Sequence, residues 1–198
     1  MRKKMLFSPA LLILFTVFTD AQDLDLSIFD SRSGIVEYRF NGTQQGVGTL
    51  YFDDFGFRTH LFLDVLVAGR HTRTITITIG EDQYMFNADK TGEGIKVKTR
   101  ANLGIEDQDS VFSNVYGKIG LEKTGSAFFM GKDCDLWKGK AGQVLLWNGI
   151  VLRMEIDLNG NRIHQEALSV KTDIEIDPDL FTIPDNISFV EMPGRPGF

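Results

Sequence analysis

The stretch of residues 57–79, FRTHLFLDVLVAGRHTRTITITI, contains the strongest fold signal in the sequence. Its first half, 57–68, is rich in the β-branched and aromatic residues that are enriched in strands. Its second half, 72–79, places Thr at every second position, and this period of two is typical of a strand. The stretch therefore predicts two consecutive strands in a mainly β protein.

Further strands are predicted on both sides of this stretch, at 35–40, 47–53, 83–87 and 95–99. The connections between them are short, and turn sequences such as Asp54-Phe55-Gly56 separate them. Strands joined by short connections tend to pair with their sequence neighbours in antiparallel order. This part of the chain is therefore expected to form an antiparallel meander.

The apolar pattern changes between 102 and 119. Four apolar residues there fall on one face of a helix: Val111, Phe112, Val115 and Ile119. Asp109 or Ser110 is a suitable N-cap because both side chains can accept a hydrogen bond from a free backbone N–H. One short helix is predicted in this region.

Strands return in the last third of the chain. A long strand at 143–157 is expected to be interrupted at Asn148-Gly149, and Asn159-Gly160 predicts a tight hairpin into a strand at 162–175. Four prolines follow from position 178 onward, so an irregular C-terminal tail is expected from about 185.

Two of the predicted strands are apolar on both faces. The second face of 57–67 has Phe62 and Leu66, and the second face of the long strand has Leu145, Trp147 and Val151. A strand face exposed to water is normally polar. These five residues therefore pack under a cover in a closed core, or they line a cavity for a hydrophobic ligand such as an acyl chain. The sequence leaves both alternatives open.

The first 21 residues predict a secretory signal peptide. Three basic residues precede the apolar segment 5–18, and small residues at Thr19 and Ala21 allow cleavage before Gln22. No later segment is long enough to span a membrane. Residues 22–198 are then expected to form one exported, soluble domain in the periplasm or outside the cell.

The charge of the exported chain argues against nucleic acid as a partner. The full chain has 21 basic and 27 acidic residues, and the leader contains three of the basic and one of the acidic, which leaves a net charge of −8. An acidic surface repels phosphate backbones. It does not disfavour apolar ligands.

No motif for catalysis or metal binding stands out. The chain has one Cys and three His, so neither a thiolate metal cluster nor a His-based metal site is expected, and no cofactor is implied. The single cysteine, Cys134, lies between Asp133 and Asp135, whose charges disfavour a thiolate. We therefore predict a protein without enzymatic activity, and an uncharacterised hydrolase is the alternative.

Three short motifs occur in order within 125–185: Gly131-x-x-Cys134-x-x-Trp137, then Trp147-Asn148-Gly149-Ile150, then Phe181-x-Ile183-Pro184. In this order they resemble exported bacterial half-barrel proteins related to the periplasmic lipoprotein carriers LolA and LolB. The motif residues Gly131, Cys134, Trp137, Gly149, Phe181 and Pro184 are expected to be structural, with Pro184 ending the last strand. The resemblance implies an antiparallel sheet curled into an unclosed barrel, with helices on a concave side that binds lipid chains in the carriers.

The sequence thus predicts an exported, non-enzymatic binding protein of the cell envelope. Its expected ligand is a lipid or a lipoprotein acyl chain, held on the concave face of a half-barrel. A structural or interaction module that packs its core fully and contacts another envelope protein is the alternative.

Overall fold

The computed structural model describes residues 28–90, 92–98 and 108–192. The predicted signal peptide at 1–21 lies outside these residues, so export stays a prediction. Within the described ranges, no helix has the length and apolar character needed to cross a bilayer.

Twelve strands are present in the described residues. The first six are β1 (Gly34–Asn41), β2 (Gln44–Asp53), β3 (Arg58–Val67), β4 (Arg70–Ile79), β5 (Asp82–Asn87) and β6 (Gly92–Lys98). The other six are β7 (Leu121–Phe129), β8 (Lys132–Gly139), β9 (Gly142–Trp147), β10 (Ile150–Leu158), β11 (Asn161–Thr172) and β12 (Ile187–Met192).

All twelve strands belong to one sheet, in the order β12-β6-β5-β4-β3-β2-β1-β11-β10-β9-β8-β7. Two antiparallel meanders, β1 to β6 and β7 to β11, are joined where β1 pairs with β11. β12 and β7 form the two edges of the sheet and do not pair with each other, so the sheet is unclosed. The predicted fold class, a mainly β and mostly antiparallel unclosed sheet, is confirmed.

The sheet is curved, as the backbone hydrogen bonds of its N-terminal segment indicate. The Phe29 N–H donates to the carbonyl of Phe55, between β2 and β3, at 3.0 Å, and the Asp30 N–H donates to that of Asn148, between β9 and β10, at 3.2 Å. In a flat sheet, β2 and β10 would be about 14 Å apart, at about 4.8 Å per strand position. Consecutive amides reach both places because the sheet bends around this segment, which gives it a concave face.

One α-helix, α1 (Gln108–Gly117), is present in the described part of the chain. It confirms the predicted short helix. The predicted N-cap is wrong, because both Asp109 and Ser110 lie inside the first turn of α1. The helix begins earlier than the apolar face does, and that face was the signal that placed the cap.

The predicted long strand at 143–157 is instead a hairpin of β9 and β10. Asn148 and Gly149 have φ values of 50° and 79°, the left-handed pair that a tight hairpin turn requires. The reversal changes which residues share a face. Ile150 pairs with Trp147 and Val151 pairs with Leu146, so Val151 and Trp147 are on opposite faces. Placing these two residues on one face was therefore wrong.

The C-terminal tail, expected to be irregular from about 185, contains β12. This strand runs parallel to β6 and packs the ring of Phe189 over Gly94, which has no side chain to obstruct it. Phe189 also makes edge contacts with Tyr84 and Phe86, at 5.1 and 6.0 Å between ring centroids. These aromatic contacts stabilise β12. The sequence did not predict this strand, because the prolines before it indicated an irregular tail.

Phe181 and Pro184 also lie in a different structure from the one predicted. Phe181 closes a short 3-10 helix (Pro178–Phe181), and Pro184 lies in the connection that follows, so it precedes the last strand rather than ending it. Phe181 is buried beneath the guanidinium of Arg58, at 5.4 Å from the ring centroid. Phe181 therefore packs against β3, and its role as a structural motif residue stays a prediction.

Two apolar clusters form the interior. The larger contains Val36, Phe52, Leu63, Ile150 and Leu152, each at most 1% exposed. The smaller lies near α1 and contains Tyr116, Trp137, Val144 and Met154. The two clusters meet along β10, which contributes residues to both, and this meeting place is where the candidate site lies.

Candidate functional site

A cavity of about 80 Å³ lies between the concave face of the sheet and helix α1. Strands β1, β2, β3, β10 and β11 form its floor and walls, and residues 28 and 29 close one side. Its surface is almost entirely apolar. We call it the helix-covered cavity.

The floor of the cavity comes mainly from β10. This strand contains a bulge between Val151 and Arg153, where it has one more residue than β9 opposite. A bulge changes the direction in which the following side chains point. Both Val151, before the bulge, and Met154, after it, therefore line the cavity, although they are three residues apart in the strand.

Helix α1 and the turn after it form the cover. Four side chains line the cavity from this side: Phe112, Val115, Tyr116 and Ile119. The rings of Phe112 and Tyr116 stack at 6.0 Å, and Tyr116 contacts Trp137 at 5.6 Å. Burial raises the pKa of Tyr116 above its ordinary value, so its hydroxyl stays neutral. Three of the four predicted face residues, Phe112, Val115 and Ile119, thus close the cavity together with Tyr116, and Ile119 does so from the turn after the helix.

Tyr38 on β1 is one of the few polar groups at the cavity wall. It is 2% exposed, and its hydroxyl donates a hydrogen bond of 3.0 Å to the carbonyl of Val151 at the β10 bulge. Burial raises the pKa of Tyr38, and Tyr116 raises it further, while the nearby Gln165 amide acts in the opposite direction. The hydroxyl therefore stays protonated and serves as a donor to the strand.

Gln165 on β11 is the second polar group. It is 0% exposed and lines the cavity, and neither its Nε2 nor its Oε1 makes a hydrogen bond within the described structure. Its cross-strand neighbours are Phe40 and Met154, and neither side chain offers a strong partner. Tyr38 is near enough to interact with the amide. Because its hydroxyl donates its only proton to Val151, it can accept one of the two Nε2 hydrogens but has none to donate to Oε1. A buried amide without partners normally costs about 1–3 kcal/mol.

The cavity contains no charge among its described lining residues. The charges of β10 and β11 form ion pairs away from it: Arg153 lies 3.2 Å from Glu155 and 3.1 Å from Glu166. His164 lies 3.9 Å from each of these carboxylates, beside an open polar depression. The helix-covered cavity therefore offers apolar contact and amide hydrogen bonds, but no acid, base or nucleophile in a charged form.

The structure does not bring the five predicted ligand-contacting residues together. Val151 lines the helix-covered cavity. Leu145 is buried and Trp147 half-buried in the larger core cluster, where the ammonium of Lys132 lies 3.4 Å from the Trp147 ring centroid. Phe62 lies under Arg73, and Leu66 is 43% exposed, both alternating with residues that face the core. A role of these four residues in binding stays a prediction.

The other predicted motif residues lie in the sheet and its turns. Gly131 and Gly149 have φ values of 76° and 79° in the turns after β7 and β9. Trp137 is 2% exposed and packs against Tyr116. Cys134 is 1% exposed, and its burial raises the pKa of its thiol, with the charges of Asp133 and Asp135 acting in the same direction. Its thiol therefore favours the protonated form.

Sequence reasoning missed both Tyr38 and Gln165. Tyr38 appeared only as one aromatic residue within a predicted strand. Gln165 did carry a signal, because it is a polar residue at the position where the alternation of β11 predicts an apolar one, between Ile163 and Ala167. A polar residue at an apolar position indicates either a mistaken register or a buried group with a function.

Comparisons with known proteins find a similar fold but no matching family. No family model matches the sequence, and no curated protein matches it. The structure is similar to that of an uncharacterized conserved protein from Thermus thermophilus, with a TM-score of 0.54 and 11% identity over 92% of this chain and 99% of that one. The same fold thus occurs over the whole length of a second protein.

Two other solved structures are more distant. PNGF-II has a TM-score of 0.45 and 13% identity over 82% of this chain and 31% of that one. LprF from Mycobacterium bovis has a TM-score of 0.37 and 11% identity over 79% of this chain and 93% of that one.

Proposed function

We propose that this protein is a non-enzymatic binding protein that holds a hydrophobic ligand, a lipid or an acyl chain, in the helix-covered cavity. The observation that carries the proposal is an apolar cavity between the concave sheet and a single short helix, with no charged lining residue among those described. The sequence resemblance to exported lipoprotein carriers supports the same class of ligand. It also supports a place in the cell envelope after cleavage near residue 22.

The size of the cavity limits how a ligand enters. Its volume of about 80 Å³ is smaller than an engineered cavity of about 150 Å³ that holds benzene. Only the end of an acyl chain fits unless α1 moves outward. A helix of 10 residues is marginally stable alone and depends on its packed face. We therefore propose that α1 moves away from the sheet when a longer chain binds.

The binding energy comes from removing apolar surface from water. Each buried methylene group contributes about 0.8 kcal/mol, so about ten of them support micromolar affinity after the costs of association. The alternative, a packed interaction module without a ligand, is favoured by the same small volume. The two proposals differ in whether an apolar molecule binds at all.

Titration with the neutral apolar dye N-phenyl-1-naphthylamine tests the proposal. We expect a saturable rise in fluorescence at one site per chain, with a micromolar dissociation constant, and displacement of the dye by 1-octanol. Native mass spectrometry of protein purified from its own host is expected to show a retained lipid. If the dye signal does not saturate and no octanol-sensitive site is found, the protein is a packed module and the proposed function fails.

A further inference from the structure

We infer that the helix-covered cavity selects ligands whose apolar chain ends in an uncharged hydrogen-bonding group, and that Gln165 recognises this group. A primary amide or a hydroxyl has the required chemistry, because each both donates and accepts hydrogen bonds, whereas an ester has no donor and an ionised carboxylate has neither a donor nor a neutral charge. This inference rests on the proposed function and adds the chemistry of the ligand head group.

The first argument is the state of the Gln165 amide. It is fully buried and lines the cavity, and its Oε1 has no partner among the described residues, while the Tyr38 hydroxyl can accept at most one of its two Nε2 hydrogens. Buried polar groups in folded proteins are nearly always hydrogen-bonded, so an unpaired one needs an explanation. A ligand group that both accepts from Nε2 and donates to Oε1 supplies the missing partners.

The second argument is that the described residues around Gln165 leave its Oε1 and one of its Nε2 hydrogens without a partner. The Tyr38 hydroxyl, which lies near the amide, donates its only proton to the Val151 carbonyl, so it can accept from Nε2 but cannot donate to Oε1. The residues that flank Gln165 across the strands, Phe40 and Met154, are apolar. The Oε1 acceptor and one Nε2 hydrogen therefore stay available to a ligand in the cavity.

The third argument concerns charge. An ionised carboxylate buried without a cationic partner is strongly disfavoured. The described lining of the cavity has no Lys, Arg or His, and Arg153, on β10, is paired with Glu155 and Glu166. A free fatty acid would therefore bind poorly at neutral pH, whereas an amide of equal chain length meets no such penalty.

The test compares eight-carbon ligands that differ only in the head group. Displacement of N-phenyl-1-naphthylamine by octanamide, octane and octanoate is measured at pH 7.5 for wild type and for Gln165→Leu. We expect Gln165→Leu to weaken octanamide about tenfold and to leave octane unchanged or tighter, because only the amide loses hydrogen bonds. Octanoate is expected to compete at least tenfold less well than octanamide with wild type.

Two further variants keep the test decisive. Gln143→Leu is the matched control, because Gln143 is half-buried outside the cavity and donates to Glu155 at 2.8 Å; it is expected to change no affinity. Gln165→Met replaces the amide with an unbranched chain of similar length if the leucine variant does not fold. Circular dichroism verifies that each variant retains the β-sheet.

The outcomes separate the inference from the proposed function. If Gln165→Leu changes the affinities for octanamide and octane equally, the Gln165 amide does not bind the head group and the inference is overturned. The same equal change is expected if an ordered water, rather than the ligand, forms the hydrogen bonds to Gln165. Apolar binding by wild type still upholds the proposed function in that case, whereas a wild type that binds none of the ligands overturns both.

Discussion

Replacing Val151 with Phe is expected to lower the affinity for N-phenyl-1-naphthylamine by more than tenfold while the β-sheet signal in circular dichroism stays unchanged. Val151 is half-buried and points into a cavity of about 80 Å³. The larger aromatic ring fills this space, so the ligand loses its place. Overpacking a core usually lowers folding stability by about 1–3 kcal/mol. Because the ring enters an existing void, the loss of stability is expected to be smaller here.

Val47→Phe is the matched control for this variant. Val47 is 51% exposed on β2, so the same change in side chain occurs at the surface, away from the cavity. Its dye affinity is expected to equal that of wild type. If Val151→Phe binds the dye as tightly as Val47→Phe does, the ligand does not occupy the helix-covered cavity.

The largest loss of stability is expected from Phe52→Ala. Phe52 is 0% exposed, its ring contacts Phe29 at 4.6 Å between centroids, and it fills the space above Gly34 on the neighbouring strand. Removing a buried aromatic ring costs the transfer free energy and leaves a void, typically about 3–5 kcal/mol in total. Urea unfolding followed by circular dichroism measures the change.

Phe128→Ala provides the comparison for this loss. Phe128 is 73% exposed on the edge strand β7, so this substitution should change the free energy of unfolding of the protein by at most about 0.5 kcal/mol. Equal effects of the two substitutions would contradict the placement of Phe52 in the core between β1 and the N-terminal segment.

Much of the fold could be predicted because local patterns determine it. The alternation at 72–79, the Asn159-Gly160 turn and the apolar face of α1 each correspond to an observed element. The local pattern at Asn148-Gly149 was misinterpreted, because a hairpin turn between two strands was taken as an interruption within one strand. Local patterns also did not predict β12, whose parallel pairing with β6 depends on residues almost 100 positions away.

The candidate site was less predictable, because it depends on the curvature of the sheet. Only Val151 of the five predicted residues lines the cavity, and its direction follows from the hairpin turn at Asn148-Gly149, which pairs it with Leu146 on β9. Tyr38 reaches the carbonyl of Val151 although β11 lies between their strands. A single strand's pattern contains no information about such contacts between distant strands.

Photo-crosslinking tests the central claim, that an apolar ligand binds between α1 and the concave sheet, most directly. An octanamide with a diazirine on its chain is irradiated with the protein, and the labelled peptides are identified by mass spectrometry. We expect label on 111–119 and on 150–165, removed by excess unlabelled octanamide. Label confined to β3 and β4 around Phe62 and Leu66, or label that excess octanamide does not remove, would contradict the claim.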